Sequence, residues 1–389
     1  MFERTSNLQL SIIKQMEIRA SKYPDVVSLA QGIPSFDTPS VIKRRVEKEM
    51  ARGTCAKYSL SAGLPGLREL VEISLAQEDM FYDWQKEIII TAGSIEGITA
   101  TIFAITNPGD EVILFDPTYT SYREVVVLAG CKPVFVPLDE EQGFGLDLKK
   151  LEGAITPKTK VILFCNPNNP TGTILNYQQL LTIGELAGRH NIFLVSDEVY
   201  KDFLYTNEAF FSLAQLPYLR HLVIRLFSFS KSYAMTGWRV GYLHSDEKNV
   251  AEILKVHDSL VTCAPVVAQY AAMGALEMAD EDLAKFKQEY RLRRDLICRR
   301  LDKLKDIFEY IKPNSSYFVF PRFLQGFDGQ TRSDVLSSWN FALNLLEKAR
   351  VAVVPGIAFG PSGEGHIRLS FGRSEKDIEE AFNRIDKLF

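Results

Sequence analysis

The chain has 389 residues, 46% of them hydrophobic and 24% charged, a balance that supports large buried cores and excludes disordered, collagenous and coiled-coil architectures. Forty-five Lys and Arg stand against 49 Asp and Glu, and a formal charge of -4 gives no overall attraction to nucleic acid or an anionic membrane, so neither is expected as a partner. The five cysteines (Cys55, Cys131, Cys165, Cys263, Cys298) are scattered and form no C-x-x-C pair, which argues against a disulfide framework or a metal site and for a reducing, cytoplasmic setting.

In chain order, the first ten residues, MFERTSNLQL, carry Glu3 and Arg4 and no apolar core before a small-residue site, so no secretory signal is expected. From about residue 86 to 245, β-branched or aromatic runs recur at Ile88 to Ile90, Val112 to Phe115, Val134 to Val136, Val161 to Phe164, Ile192 to Val195, Leu222 to Phe227 and Val240 to Leu243. Most are continuous rather than alternating, as in strands covered on both faces. Helical stretches intervene at Ser94 to Thr106, Tyr119 to Ala129 and Tyr177 to His190, and the alternation predicts an α/β domain with a mainly parallel sheet. The longest apolar stretch, Ile88 to Thr106, is broken by Gly93, Glu96 and Gly97 and reads as a strand followed by a helix, not a membrane span.

After about residue 247 the texture becomes helical. Leu292, Leu296, Ile297, Leu301 and Leu304 form a stripe, while Arg291, Arg293, Arg294, Arg299, Arg300, Lys303 and Lys305 mostly fall off it and are expected on a solvated face. Strand-like Tyr317 to Phe320, a helical stretch at Asn340 to Lys348, strand-like Val351 to Val354 and His366 to Phe371, and a final helix from Glu375 suit a smaller α+β domain. Gly356 to Gly363, rich in glycine and proline, is expected to be a mobile loop.

Ligands of open α/β sheets bind beyond the C-terminal strand ends, so the residues following each apolar run are the first candidates. Thr91 to Gly97 offers a glycine turn and Ser94 at a helix start, where free amides make an anion site, although a serine cap there is commonly structural. Asp116-Pro117-Thr118-Tyr119 places an aromatic at the sheet edge, where it could stack on a planar ligand; alone, Tyr119 reads more often as core. Asn166 to Gly172 holds two Asn-Pro pairs in seven residues, which stiffen an extended turn. Asp197 ends a strand and Tyr200 follows; a buried Asp is expensive unless it meets a cation. Finally, in SFSKSYAMTGWRVG (Ser228 to Gly241), Lys231 offers an amine for a Schiff base and Arg239 a fixed cation for a phosphate, although the segment alone reads equally as a surface lysine near a structural arginine.

Together these segments resemble the pyridoxal-phosphate-dependent aminotransferases of class I, with the aspartate aminotransferase fold. Ser228 to Gly241 looks like that family's pyridoxal-lysine signature, and Asn166 to Gly172 like its N-P-x-N-P-T-G loop. Similar motifs run in family order from Gln31-Gly32-Ile33-Pro34 through Tyr58 to Gly63 to Gly365-His366-Ile367-Arg368. The resemblance implies fold type I: a mainly parallel seven-stranded sheet with helices on both faces in a large domain (46–265), and a small domain from 1–45 and 266–389. It implies a ping-pong transfer of an α-amino group between an L-amino acid and a 2-oxo acid.

By the same resemblance, Lys231 binds the cofactor covalently and shuttles the substrate proton, and Asp197 keeps the pyridine nitrogen protonated. Tyr200 and Asn169 donate to the phenolic oxygen, and Tyr119 stacks on the ring. Ser228, Ser230, Arg239 and the amides of Ser94 and Ile95 hold the phosphate. Arg368 grips the substrate carboxylate and Gly32 closes over it. Tyr58 reaches the neighbouring subunit's phosphate, which implies a homodimer. Ile95 stands where an aspartate-preferring subgroup has a lysine, so a neutral, aromatic or broad donor range is expected. Aspartate preference and carbon-sulfur β-elimination are the alternatives on this scaffold.

Overall fold

In a computed structural model that describes residues 8, 10–324 and 337–389, all seven apolar runs become strands of one sheet. They are β1 (Ile88–Thr91), β2 (Glu111–Asp116), β3 (Lys132–Asp139), β4 (Thr159–Cys165), β5 (Phe193–Asp197), β6 (Val223–Ser228) and β7 (Gly241–His244). Their order is β1-β7-β6-β5-β4-β2-β3, with β7 antiparallel to both neighbours and the other pairs parallel. A two-residue strand, Gly145–Leu146, extends the edge antiparallel to β3. Every residue of β1, β2, β6 and β7 is buried, which is why these segments do not alternate apolar and polar residues.

Local chemistry sets the connecting helices. Tyr177–His190 starts at Asn176, whose side chain accepts from the Gln179 amide at 2.9 Å while the Gln179 side chain accepts from the Asn176 amide at 3.0 Å. It stops at Asn191, which takes the left-handed conformation with φ 52. Helices Ser94–Ile105 and Thr120–Leu128 start directly after β1 and β2. The chain runs outward from β2 to β3, then returns to β4 on the other side of β2 and continues to β6. That reversal opens a crevice at the C-terminal strand ends.

The remaining elements flank this crevice. Helix Ser40–Ala51 packs on Val266–Met278, where a Cβ at Gly274 would lie 3.2 Å from Arg45 Cβ; the domain boundary expected at 45/46 falls inside the first of these helices. Phe318–Val319, Ile367–Ser370 and Val354–Pro355 form a three-stranded antiparallel sheet. The expected strand at Val351 to Val354 is divided: Val351–Ala352 pairs instead with Val27–Ser28. Gly356 to Gly363 folds into two 3-10 turns rather than an unattached loop, because the Ser362 amide donates to Asp116 at 2.8 Å and the Thr118 amide to the Phe359 carbonyl at 2.8 Å.

The basic cluster also differs from expectation. On the helix Asp280–Lys303, Arg293 and Arg300 are buried and Leu292 is 51% exposed. The helix packs on two sides, so arginine stems cover apolar surface while their heads find partners. Arg293 lies 4.6 Å from the centre of the Phe36 ring and donates to Ser35 at 2.8 Å; Arg300 donates to Asp386 at 2.7 Å on the helix Glu375–Ile385. Among the described residues no helix is long and apolar enough to cross a membrane. The reading of the first ten residues lies largely outside the described residues, which omit 1–7 and 9.

Candidate active site

The loops beyond β1, β2, β4, β5 and β6 open on one cavity of about 400 Å³. Twelve of the thirteen residues singled out from sequence line it: Gly32, Ser94, Ile95, Tyr119, Asn169, Asp197, Tyr200, Ser228, Ser230, Lys231, Arg239 and Arg368. Tyr58 is absent from that lining and is 84% exposed.

Lys231 sits on a single turn, Phe229–Ser232, directly after β6, and the Ser228 hydroxyl caps that turn by accepting from the Ser230 amide. Its Nζ donates to the Gly32 carbonyl at 2.7 Å. Burial pushes the amine down to about 8, and the cations Arg368 and Arg239 push the same way, against Asp197. Beside it, Arg239 donates to the Thr236 carbonyl at 3.1 Å and the Ala92 carbonyl at 3.4 Å. Its guanidinium packs closely against Gly93, where a Cβ would fall 2.5 Å from Nη2. Gly241 allows a second close approach, since a Cβ there would lie 3.2 Å from the Ser94 amide nitrogen. The first amides of the helix Ser94–Ile105 have no acceptor within the helix. With Ser228, Ser230 and Arg239 they form a donor-rich seat suited to an oxyanion.

Asp197, at the end of β5, is 3% exposed. Its Oδ2 accepts from the Tyr122 hydroxyl at 2.7 Å, and its Oδ1 has no partner among the described residues. Burial pushes this carboxyl up to about 6, opposed by the Tyr122 hydroxyl. Tyr200 is buried edge-on to Tyr317 and Phe318, and burial drives its hydroxyl well above the ordinary phenol range.

Across the cavity, Arg368 is 2% exposed and donates to Asn169 Oδ1 at 3.0 Å and to the Ala30 carbonyl at 2.6 Å. Phe318 and Phe359 rings lie 4.4 and 4.9 Å from its guanidinium carbon, and its Nε has no partner among the described residues. No salt bridge joins it to a carboxylate among the described residues. Burial lowers its pKa to about 10.

Several lining residues escaped sequence reasoning. Tyr122 stands three residues after Tyr119, which caps the start of its helix from an extended conformation, and the two rings meet edge to face at 5.4 Å. Phe318 and Cys165 carry no local sequence signal, nor does Tyr317, whose hydroxyl donates to the Gly32 carbonyl at 3.0 Å. From the helix Ile12–Ala20, Ile13, Lys14 and Glu17 also reach the cavity, with Lys14 Nζ 2.6 Å from Glu17.

These groups suit pyridoxal phosphate. The open oxygen of buried Asp197 calls for a protonated ring nitrogen, the amine of Lys231 for an aldehyde, and the seat beside Gly93 for a phosphate. A cavity so equipped, at the reversal point of this sheet, defines a fold type I pyridoxal-phosphate enzyme. The chain belongs to the family described as aminotransferase class I and II, whose profile matches residues 24–385, and enzymes of this family depend on pyridoxal phosphate. It is 36% identical to an aspartate aminotransferase of Pyrococcus horikoshii, covering 99% of this chain and 96% of the relative. It is 34% identical to an aromatic-amino-acid aminotransferase of Thermococcus litoralis, covering 98% and 97%. The solved structure of aspartate aminotransferase from Thermus thermophilus with maleate superposes with a TM-score of 0.91 at 31% identity, covering 100% of this chain and 99% of the other.

Proposed function

We propose that this aminotransferase acts on neutral, aromatic or a broad set of L-amino acids in the cytoplasm, as a homodimer. The observation that carries amino-acid use is Arg368, a buried cation without a carboxylate partner among the described residues, in the same cavity as the lowered amine of Lys231. Relatives named for aspartate and for aromatic amino acids share the scaffold, and Ile95 gives the cavity an apolar side chain beside the phosphate seat.

In this reading pyridoxal phosphate supplies an electron sink for the pair left when the substrate Cα loses its proton. Lys231 would hold the cofactor covalently, and its amine, lowered to about 8, would take up and return the proton at the substrate Cα. Asp197 holds the ring nitrogen protonated, with Tyr122 fixing the carboxylate. Tyr200 and the amide nitrogen of Asn169 donate to the phenolic oxygen, while Arg368 occupies the Asn169 carbonyl oxygen. Tyr119 stacks on the ring, and Ser94, Ile95, Ser228, Ser230 and Arg239 anchor the phosphate. Arg368 takes the α-carboxylate beneath Gly32, and Tyr58, exposed on a single chain, reaches the neighbouring subunit's phosphate. The large unit lies close to 46–265, with its first boundary outside the helix Ser40–Ala51 that a division at 45/46 would cut, and the flanking segments bring Gly32 and Arg368.

The test is Lys231→Ala. The variant should retain phosphate-anchored cofactor, lose the visible band of the covalently held form, and lose transamination by several orders of magnitude. Turnover like that of wild type would sink the assignment. Product analysis separates amino transfer, which forms an amino acid from the 2-oxo acid, from β-elimination, which releases pyruvate and ammonia from a thioether.

A further inference from the structure

Glu96 lies in the first turn of the helix whose opening amides, at Ser94 and Ile95, are assigned above to a phosphate. An uncompensated carboxylate there repels a dianion bound to the same turn. The structure supplies a compensating group. Glu96 Oε1 is 3.0 Å from Nδ1 of His257, a residue with no exposed surface on the helix Glu247–Val261. The other ring nitrogen, Nε2, is 3.0 Å from the Ser61 carbonyl oxygen. A carbonyl only accepts, so Nε2 carries a hydrogen. The contact between Nδ1 and Glu96 then needs one proton as well, and with that proton on either partner the pair is electrically neutral.

The pair is tied to the phosphate seat through a single residue. The Ala92 amide donates to Glu96 Oε2 at 3.0 Å, and the Ala92 carbonyl accepts from Arg239 at 3.4 Å. On its other side His257 holds Ser61, three positions beyond Tyr58, and the Ser61 hydroxyl is itself bound to Asp258 at 2.7 Å.

We propose that His257 is a positioning residue for the cofactor phosphate. It cancels the charge of Glu96 at the anion seat and locks the turn Ala92 to Ser94 against the segment that carries Tyr58. The inference rests on the reading of Ser94, Ile95 and Arg239 as the phosphate seat.

The experiment titrates cofactor-stripped, full-length protein with pyridoxal phosphate and with pyridoxal, which keeps the aldehyde and the ring but lacks the dianion. His257→Gln should weaken pyridoxal phosphate at least tenfold and pyridoxal less than twofold. Adding Glu96→Gln to that variant should bring pyridoxal phosphate back to within threefold of wild type. Glu96→Gln alone, which leaves a neutral pair and does not depend on the folding of a His257 variant, should also stay within threefold. Equal weakening of both ligands by His257→Gln, no recovery in the double variant, or a tenfold loss of pyridoxal phosphate in Glu96→Gln overturns the proposal. If wild type itself does not favour pyridoxal phosphate over pyridoxal, the phosphate-seat reading fails first and takes the proposal with it.

Discussion

Arg368 and Asn169, 199 positions apart in sequence, meet at 3.0 Å through a guanidinium nitrogen and a carboxamide oxygen. That contact is neutral on the asparagine side, so the arginine keeps its charge for a ligand. Arg368→Ala should leave the cofactor absorbance intact and lower kcat/KM for amino acids by a factor matching about 2 to 5 kcal/mol, the usual loss when one partner of a buried charge pair is removed. Steady-state kinetics decide it. Undiminished amino-acid turnover, or equal use by wild type and variant of amines lacking a carboxylate, would place the carboxylate elsewhere.

Asp197 gives a pH dependence whose sign is fixed. Burial lifts its carboxyl from 3.8 to about 6, so between these values the native chain holds a proton that the unfolded chain has released. Without cofactor, stability therefore falls as pH rises from about 4 to about 6, by up to about 3 kcal/mol for this group. Asp197→Asn can keep the Tyr122 bond through its carbonyl oxygen and should remove that fall. Denaturant unfolding of the cofactor-free proteins at pH 4.5 and 7 measures it, and parallel pH profiles would refute it. In the holoenzyme the same variant should bind cofactor more weakly and abstract the substrate proton more slowly.

The proposed specificity turns on Ile95. Its methyl-rich side chain cannot pair with a second substrate carboxylate, which would lose hydration without gaining a partner. Phenylalanine, tyrosine, methionine and alanine should therefore compete well with aspartate and glutamate when kcat/KM is compared with a common acceptor. Ile95→Lys should shift the ratio toward aspartate. An aspartate preference above tenfold over every neutral donor, about 1.4 kcal/mol in transition-state binding, would contradict the expectation.

Tyr58 tests the subunit arrangement. On a single chain its ring is 84% exposed and outside the cavity. Tyr58→Phe should leave the dimer intact by sedimentation while weakening pyridoxal phosphate by roughly tenfold, in line with loss of a hydrogen bond to a charged group. An unchanged cofactor affinity, or a monomeric wild-type protein, would remove Tyr58 from the site.

Most of the seven strands were legible in the sequence because strands such as β2 and β6 are buried on both faces and therefore read as unbroken apolar runs. Lys231, Asp197 and Asn169 were legible because polar residues directly after such runs stand out against them. What the sequence hid depends on long-range contact. Nothing local ties Gly32 to Lys231, 199 residues away, or brings Lys14 and Glu17 to the cavity wall. The arginines at 293 and 300 misled for a related reason: charge pattern describes one helix, whereas their burial is decided by Phe36 and by the helix Glu375–Ile385.

The amine of Lys231 rests on a main-chain oxygen, that of Gly32, and the anion seat is built partly from main-chain amides. Peptide groups persist when side chains are exchanged. The fixed points of the proposed chemistry are thus partly insulated from substitution, while the side chains of Ile13, Ile33 and Ile95, which line the same cavity, remain open to it. Such a partition lets point mutation retune the range of amino acids accepted without displacing the reactive nitrogen, and it makes these three isoleucines the natural first positions for redesigning selectivity.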